Sequence, residues 1–460
     1  MNGSGPRQEG AAAPAAGALH AGPHTPLAAE YPNLLACVRC GLCLTSCPTY
    51  VLSLDEAEGP RGRVAMARAL LEGRLAPSPD LVRHELSCLV CDACSAVCPA
   101  GVYMEPIQIA LRATLESGLG GDRPPHSPWQ RTLRRLAFRF CFGSMARFRL
   151  IARLLWLYQH LGVRHLTRAT GLLQLLRLQR SEALLPEIDA RFLMPRGEVY
   201  PAAQAHDQTP PHGEAHAAPP TVSFFAGCIM STALAEIDRA TIRVLQRAGY
   251  HVANTAGQGC CGALNAHGGD LHGARDLARR NIAAFERDGQ APVVVNSAGC
   301  GAMLKSYAHL LRDDSAWAER AAAFSARVQD VTELLAGRDL PLRRALRLVA
   351  TYQDPCHLAH AQRVTQQPRA LLQRIPGLVL REMRESTLCC GSAGIYMLTH
   401  PHTARQLQQR KLDCALATQP DIIVTANPGC LLQLQSGLRE RGSPVQVRHI
   451  IELLDEATRA

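Results

Sequence analysis

The sequence has no uninterrupted run of roughly eighteen apolar residues, which excludes a simple membrane-spanning helix. Its opening stretch, Met1–Glu30, is rich in Ala, Gly and Pro and lacks a basic start followed by a leucine-type core, so no secretory signal is expected. Charge is scarce: 19% of the 460 residues are charged against 47% apolar, a balance that excludes a wholly disordered chain. No nucleophile–base motif, flavin site or hydroxy-acid pocket is readable, so no catalytic residue is assigned to this chain. Cysteine, by contrast, is plentiful. Eighteen thiols are too many for incidental packing and too few for a small disulfide scaffold. In a reducing compartment clustered thiols hold metal more often than disulfides. The expectation is a cytoplasmic metalloprotein of two or three domains.

Two of the clusters are tight. Cys37, Cys40, Cys43 and Cys47-Pro48 form one, and Cys88, Cys91, Cys94 and Cys98-Pro99 the other. Both read C-x2-C-x2-C-x3-C-P, the ligand run of two-cluster [4Fe–4S] ferredoxins, in which the fourth cysteine serves the other run's cluster. One cluster is therefore expected on Cys37, Cys40, Cys43 and Cys98, the other on Cys88, Cys91, Cys94 and Cys47. Zinc is the competing reading, but it is usually held by two separated pairs rather than by complete four-cysteine runs. Arg39 beside Cys40 and Asp92 beside Cys91 are expected to push the two sites in opposite electrostatic directions.

The remaining thiols mark an internal repeat. Cys228, Cys260-Cys261-Gly262 and Cys300 recur as Cys356, Cys389-Cys390-Gly391 and Cys430, at offsets of 128, 129 and 130. Val222–Phe225, Val293–Val295, Leu348–Tyr352 and Ile422–Val424 read as buried strands, with helices over Ala233–Ala248 and Thr403–Ala417. Strands alternating with helices favour mostly parallel sheets, whose ligand sites lie at the carboxyl edge. Four thiols per copy, Cys228, Cys260, Cys261 and Cys300, then Cys356, Cys389, Cys390 and Cys430, are candidate ligands for a further iron–sulfur cluster or for zinc. Gly257–Gly262 also satisfies G-x-G-x-x-G, but its thiols and the lack of a close preceding strand argue against a nucleotide. His267 and His357, near the cysteines, are read as local hydrogen-bonding groups.

Between these regions, Trp129–Arg180 holds eleven Arg, no Lys and no acid, so its +11 exceeds the +10 of the whole chain. Leu133, Leu136, Ala137 and Phe140 recur at helical spacing, continued by Phe148, Ile151, Leu155 and Tyr158, with Arg131, Arg135 and Arg139 on a separate row. An anionic membrane surface or acidic partner suits this pattern. No nucleic-acid motif accompanies the charge, so no nucleic-acid partner is expected. The chain is thus read as a tail (1–30), an α-helical two-cluster ferredoxin-like unit (31–121), an Arg-rich helical connector (122–180), a linker (181–221) and a duplicated α/β unit (222–345 and 346–460). Helices are expected from Pro60–Arg61 and after Glu105–Pro106.

The two runs, the intervening Gly59-Pro60-Arg61-Gly62-Arg63, the paired Cys-Cys-Gly units, Gly391-Ser392-Ala393-Gly394 and Thr425-Ala426-Asn427 together resemble the iron–sulfur subunit of glycolate oxidase. The wider group includes heterodisulfide reductase B-type subunits and the iron–sulfur subunits of lactate and anaerobic glycerol-3-phosphate dehydrogenases. The resemblance spans about residues 31–456. It implies flavin-bearing partner subunits that oxidise glycolate to glyoxylate, with this chain passing electrons toward quinone at the inner face of the cell membrane. One departure stands in each repeat: Met303 and Gln433 occupy the places of a fifth thiol, unlike the ligand set of the noncubane clusters of heterodisulfide reductase. Two alternatives from other classes are a zinc-stabilised scaffold without redox role and an enzyme that reduces a disulfide at a Cys-Cys-Gly site.

Overall fold

The computed structural model describes residues 25–117, 128–175, 182, 185–188, 191–203 and 219–459. Residues 1–24 of the expected tail and 204–218 of the expected linker lie outside them. The last residues of that tail are folded: Leu27 is fully buried, and its N–H donates to Thr114 Oγ1 at 3.1 Å.

The N-terminal unit is helical. Tyr31–Leu35 (α1), Pro48–Ser53 (α2), Pro60–Leu71 (α3), Pro79–Leu86 (α4) and Met104–Ser117 (α5) surround a core of Leu34, Val64, Leu70, Leu71, Ile107 and Leu111. Proline stands in the first turn of α1 to α4, where its missing N–H costs nothing.

The connector forms Pro128–Cys141 (α6), Met145–His160 (α7) and Val163–Ala169 (α8). Of the apolar row expected on α6, the two members whose side chains are described do not face the protein. Leu136 and Phe140 are exposed, while Phe138 is buried and stacks through Phe142 to Phe148, at ring separations of 6.0 and 5.7 Å. The ring ladder, rather than the leucine row, secures α6 because Phe142, Met145 and Phe148 pack onto the first repeat's core. The side chains of Leu133, Ala137, Arg131 and Arg135 lie outside the description.

Each repeat carries its own sheet. In the first, Val199–Tyr200 (β1), Thr221–Phe225 (β2), His251–Ala253 (β3), Val293–Val295 (β4) and Val328–Asp330 (β5) take the order β1-β3-β2-β4-β5. All pairings are parallel except β1 with β3. β1 comes from the stretch expected to be linker and closes one sheet edge. In the second, Val349–Tyr352 (β6), Val379–Leu380 (β7), Ile422–Thr425 (β8) and Gln446–His449 (β9) run parallel in the order β7-β6-β8-β9. Ala235–Arg247 (α9), Leu271–Phe285 (α10), Pro401–Leu416 (α11), Pro428–Glu440 (α12) and Ile450–Ala457 (α13) cover the sheets. One buried core runs through both repeats, from Val222 and Leu245 to Ile423 and Leu454. α9 and α13 meet across the seam, where Asp455 is clasped by Arg243 at 2.8 Å and Arg247 at 2.8 Å. Burial alone would raise the Asp455 carboxyl, but these arginines and Arg459 hold it down to about 2.

Candidate metal centres

The two ferredoxin-type runs occupy loops that enter the left-handed region repeatedly, at Arg39, Gly41, Val90 and Asp92. Cys47 lies with Cys88, Cys91 and Cys94 around one small pocket. Cys37 and Cys98 pack on the core that holds Leu34 and Val102, and the Val102 N–H points to Cys98 Sγ at 3.4 Å. Cys47, the last cysteine of the first run, thus sits with thiols of the second, and Cys98 shares a core with Cys37. Cys40 is exposed, and exposed Val38 and Leu42 stand beside it.

The Gly59–Arg63 segment explains itself at this point. Arg61 pairs with Glu56 and donates to Arg39 O at 3.1 Å, tying α3 to the first loop. It passes so close to Gly41 that a Cβ there would lie 2.7 Å from the guanidinium. Arg63 is 1% exposed. Its guanidinium donates to His84 O, Thr49 Oγ1, Glu58 and Ser87, and reaches Cys47 Sγ at 3.9 Å. A second, partly buried cation, Arg112, donates to Cys88 O at 2.6 Å. The charge pair expected from the sequence is therefore displaced. Arg39 is exposed, where solvent screens it, and burial followed by the nearby Glu105 carboxylate pushes the Asp92 carboxyl well up, toward its neutral form. Arg63 and Arg112 carry the field instead; no local sequence signal marks them, since their partners include His84 and Ser87 for Arg63 and Cys88 and His267 for Arg112, all distant in the chain.

In the first repeat Cys228 follows β2, Cys260 and Cys261 follow β3, and Cys300 stands on the helical turn after β4. The Cys228 and Cys260 sulfurs are 3.8 Å apart, and Cys261 reaches both Cys260 and Cys300. The second repeat copies this: Cys356 and Cys389 lie 3.9 Å apart, and Cys390 reaches Cys389 and Cys430. These separations far exceed the roughly 2 Å of a disulfide, and all eighteen cysteines are free thiols. Among the described residues no three donor side chains stand at the spacing of a single bound ion; the thiols meet in pairs. Soft donors in four sets, most of them buried or partly buried, fit thiophilic metal or iron–sulfur chemistry.

β3 does precede the Gly257–Gly262 loop, contrary to the expectation, but the loop is filled by protein. Gln258 bonds the Ala226 N–H and Phe224 O, and Cys260 and Cys261 point into the core.

The sets adjoin. Cys91 shares a buried cluster with Cys389, and Cys356 packs against it. Asn427 joins the repeats: its Oδ1 accepts the Gly299 N–H at 3.1 Å and its Nδ2 donates to Cys430 Sγ at 3.5 Å. His357 bonds Val90 O at 2.8 Å, and its ring meets His267 edge-on at 5.7 Å. His267 in turn pairs with buried Glu105 at 3.3 Å; burial alone would raise that carboxyl, but this bond and the His267 charge hold it down to about 2. These histidines, read from the sequence as local groups, bind the N-terminal unit to both repeats.

A helical unit with two four-cysteine runs, joined to paired α/β repeats with thiols at their strand ends, defines an iron–sulfur protein of the dicluster type with duplicated cysteine-rich domains. Family models match accordingly: a 4Fe-4S dicluster domain over residues 36–102, and a cysteine-rich domain over 222–305 and again over 350–435. Residues 129–185 match the linker region of the glycolate oxidase iron-sulfur subunit. The chain is 37% identical over 434 residues to the probable glycolate oxidase iron-sulfur subunit of Bacillus subtilis, covering 92% of this chain and 94% of that one. It is 33% identical over 432 residues to the glycolate oxidase iron-sulfur subunit of Escherichia coli, with the same coverage. Lactate utilization protein A of Bacillus licheniformis is 30% identical over 237 residues, which span 51% of this chain and 98% of that protein. The chain belongs to the family of glycolate oxidase iron–sulfur subunits.

Proposed function

We propose that this chain is the electron-carrying subunit of a complex that oxidises glycolate to glyoxylate, taking electrons from flavin-bearing partner subunits and passing them toward quinone. Its place is the cytoplasm, peripheral to the inner membrane face; among the described residues no helix is long and apolar enough to cross a membrane. Cys37, Cys40, Cys43 and Cys98 hold one [4Fe–4S] cluster, and Cys88, Cys91, Cys94 and Cys47 the other. Cys228, Cys260, Cys261 and Cys300, with Cys356, Cys389, Cys390 and Cys430, hold metal in the repeats. The working units are those read from the sequence, with β1 belonging to the first repeat. Iron–sulfur clusters, when bound, accept and release single electrons at potentials set by charge, burial and hydrogen bonds to sulfur.

The observation that carries the reading is the contiguity of the thiol sets. Exposed Cys40 marks an outer end, Cys91 abuts Cys356 and Cys389, and Asn427 leads on to Cys300's turn. The chain's own residues exclude water from the inner sets and hold Arg63 and Arg112 against the second run. The test is anaerobic purification, iron and sulfide analysis, and reduction by co-expressed flavin subunits with glycolate, lactate or glycerol 3-phosphate. Glycolate-driven bleaching of the iron–sulfur absorption is expected. Zinc without sulfide, or bleaching by lactate or glycerol 3-phosphate instead, would reject the reading.

A further inference from the structure

α7 is apolar on two faces. Phe148, Ala152 and Leu155 face the protein, and Gln159 anchors the same side through Pro186 O at 2.7 Å and the Ile188 N–H at 3.0 Å. Leu150, Leu154, Leu157 and Leu161 face out, at 58%, 56%, 37% and 68% exposure. At 3.6 residues per turn these four fall within about 60° of arc and extend about 16 Å along the axis. Such a helix is ordinarily buried all round. Exposed Val163 and Leu166 carry the surface into α8.

Arg147 and Arg153 flank the leucine stripe, one on each side. Arg147 donates to the Phe140 and Arg139 carbonyls, and Arg153 lies over the Phe192 ring at 5.2 Å. Among the described residues Arg139, Arg147, Arg149 and Arg153 meet no carboxylate, whereas Arg164 and Arg168 are neutralised by Glu182. The described residues therefore leave an apolar ridge between cations that none of their carboxylates compensates.

We propose that α7 and the start of α8 dock on an anionic lipid bilayer, the leucines entering the acyl boundary and the arginines meeting lipid phosphates. The stripe is far short of the roughly 30 Å needed to span a bilayer, but an interfacial helix buries only one face. Arginine stems that lie along apolar surface while their heads reach outward suit the headgroup level. A second copy of this chain is disfavoured because it would bring like charges together. The surface is separate from the thiol sets; the inference rests on the peripheral membrane placement proposed above and not on the electron-carrier reading.

The experiment sediments the full-length, anaerobically prepared chain with vesicles of phosphatidylcholine, with or without phosphatidylglycerol. Recovery with the anionic vesicles should exceed that with neutral ones by at least about tenfold and fall as salt rises. Leu154→Glu with Leu157→Glu should lower it by at least about tenfold, with melting temperature and iron content unchanged because both positions are exposed. Arg147→Gln with Arg153→Gln should retain the fold and reduce the preference for anionic lipid. Equal recovery with both vesicle types, or full binding by the leucine variant, overturns the proposal. So does a wild-type chain that ignores lipid while the leucine variant loses its flavin-bearing subunits or a dimeric state, which would give the ridge to a protein.

Discussion

The two repeats present four thiols from matching strand ends, yet they surround them with different chemistry. Around the first set stand neutral groups: Tyr307 OH donates to Cys261 O at 2.7 Å, and Asn281 bonds Cys260 O at 2.9 Å. Beside the second set lies Lys411, 1% exposed, whose ammonium donates to the Glu385 and Ser386 carbonyls. Burial pushes the Lys411 amine down while the neighbouring thiols oppose that shift. The second set also abuts a thiol of the N-terminal unit, Cys91, whereas the first shares its buried cluster with that unit's Ile109. Duplication kept the ligand geometry and let charge and neighbours diverge.

The largest effect expected from breaking this asymmetry is at the thiols. Cys390→Ser should empty the second repeat of metal and also disturb the spectrum of the Cys88 set, whereas Cys260→Ser should empty only the first. Iron analysis and electron paramagnetic resonance distinguish these, and equal disturbance from both would refute the difference in neighbours. Glycine supplies the next contrast. Gly262 and Gly391 both have positive φ, but an added Cβ would meet Ala404 O at 2.5 Å in the second repeat and only Ala274 at 3.4 Å in the first. Gly391→Ala should cost about 3–4 kcal/mol and Gly262→Ala about 1–2 kcal/mol, read from thermal melts.

The seam can be tested by pH. The folded Asp455 carboxyl lies at about 2, below its unfolded value, so its stabilisation is present above pH about 4 and lost as pH falls toward 2. Asp455→Asn should remove about 1–2 kcal/mol at neutral pH and flatten the stability profile in that window. Melts in which one repeat survives the other would show that the seam does not couple them. The smallest effect is expected from Lys411→Met. Losing a positive charge should lower the second repeat's midpoint potential by about 40 mV, near 1 kcal/mol for one electron, and leave the first repeat's unchanged. A redox titration in which both move together would erase the distinction.

Much of this was legible in the residues. The sixteen site thiols stand out by spacing, and β2, β4, β6 and β8 by continuous apolar runs. β1, β3, β5, β7 and β9 were not: β1 and β7 are only two residues long, and β3, β5 and β9 include His251, Gln329, Asp330, Gln446 and Arg448. Burial of Arg63 and Lys411 is a tertiary property, created by Glu58, Ser87 and the Glu385–Ser386 carbonyls, with no periodicity to announce it. The outward leucines of α7 were masked by the inward set, since both follow the same helical repeat.

Exposure at one terminus of the sulfur series also implies a graded vulnerability. Molecular oxygen reaches Cys40 without any opening of the fold, whereas Cys260, Cys389 and Cys390 are sealed in packed cores. Air should strip the outermost centre first, and if Cys98 holds it from the opposite run, as proposed above, that injury should loosen the neighbouring loop before the repeats are touched. Colour lost in two separated stages on aeration is the signature such a construction would leave.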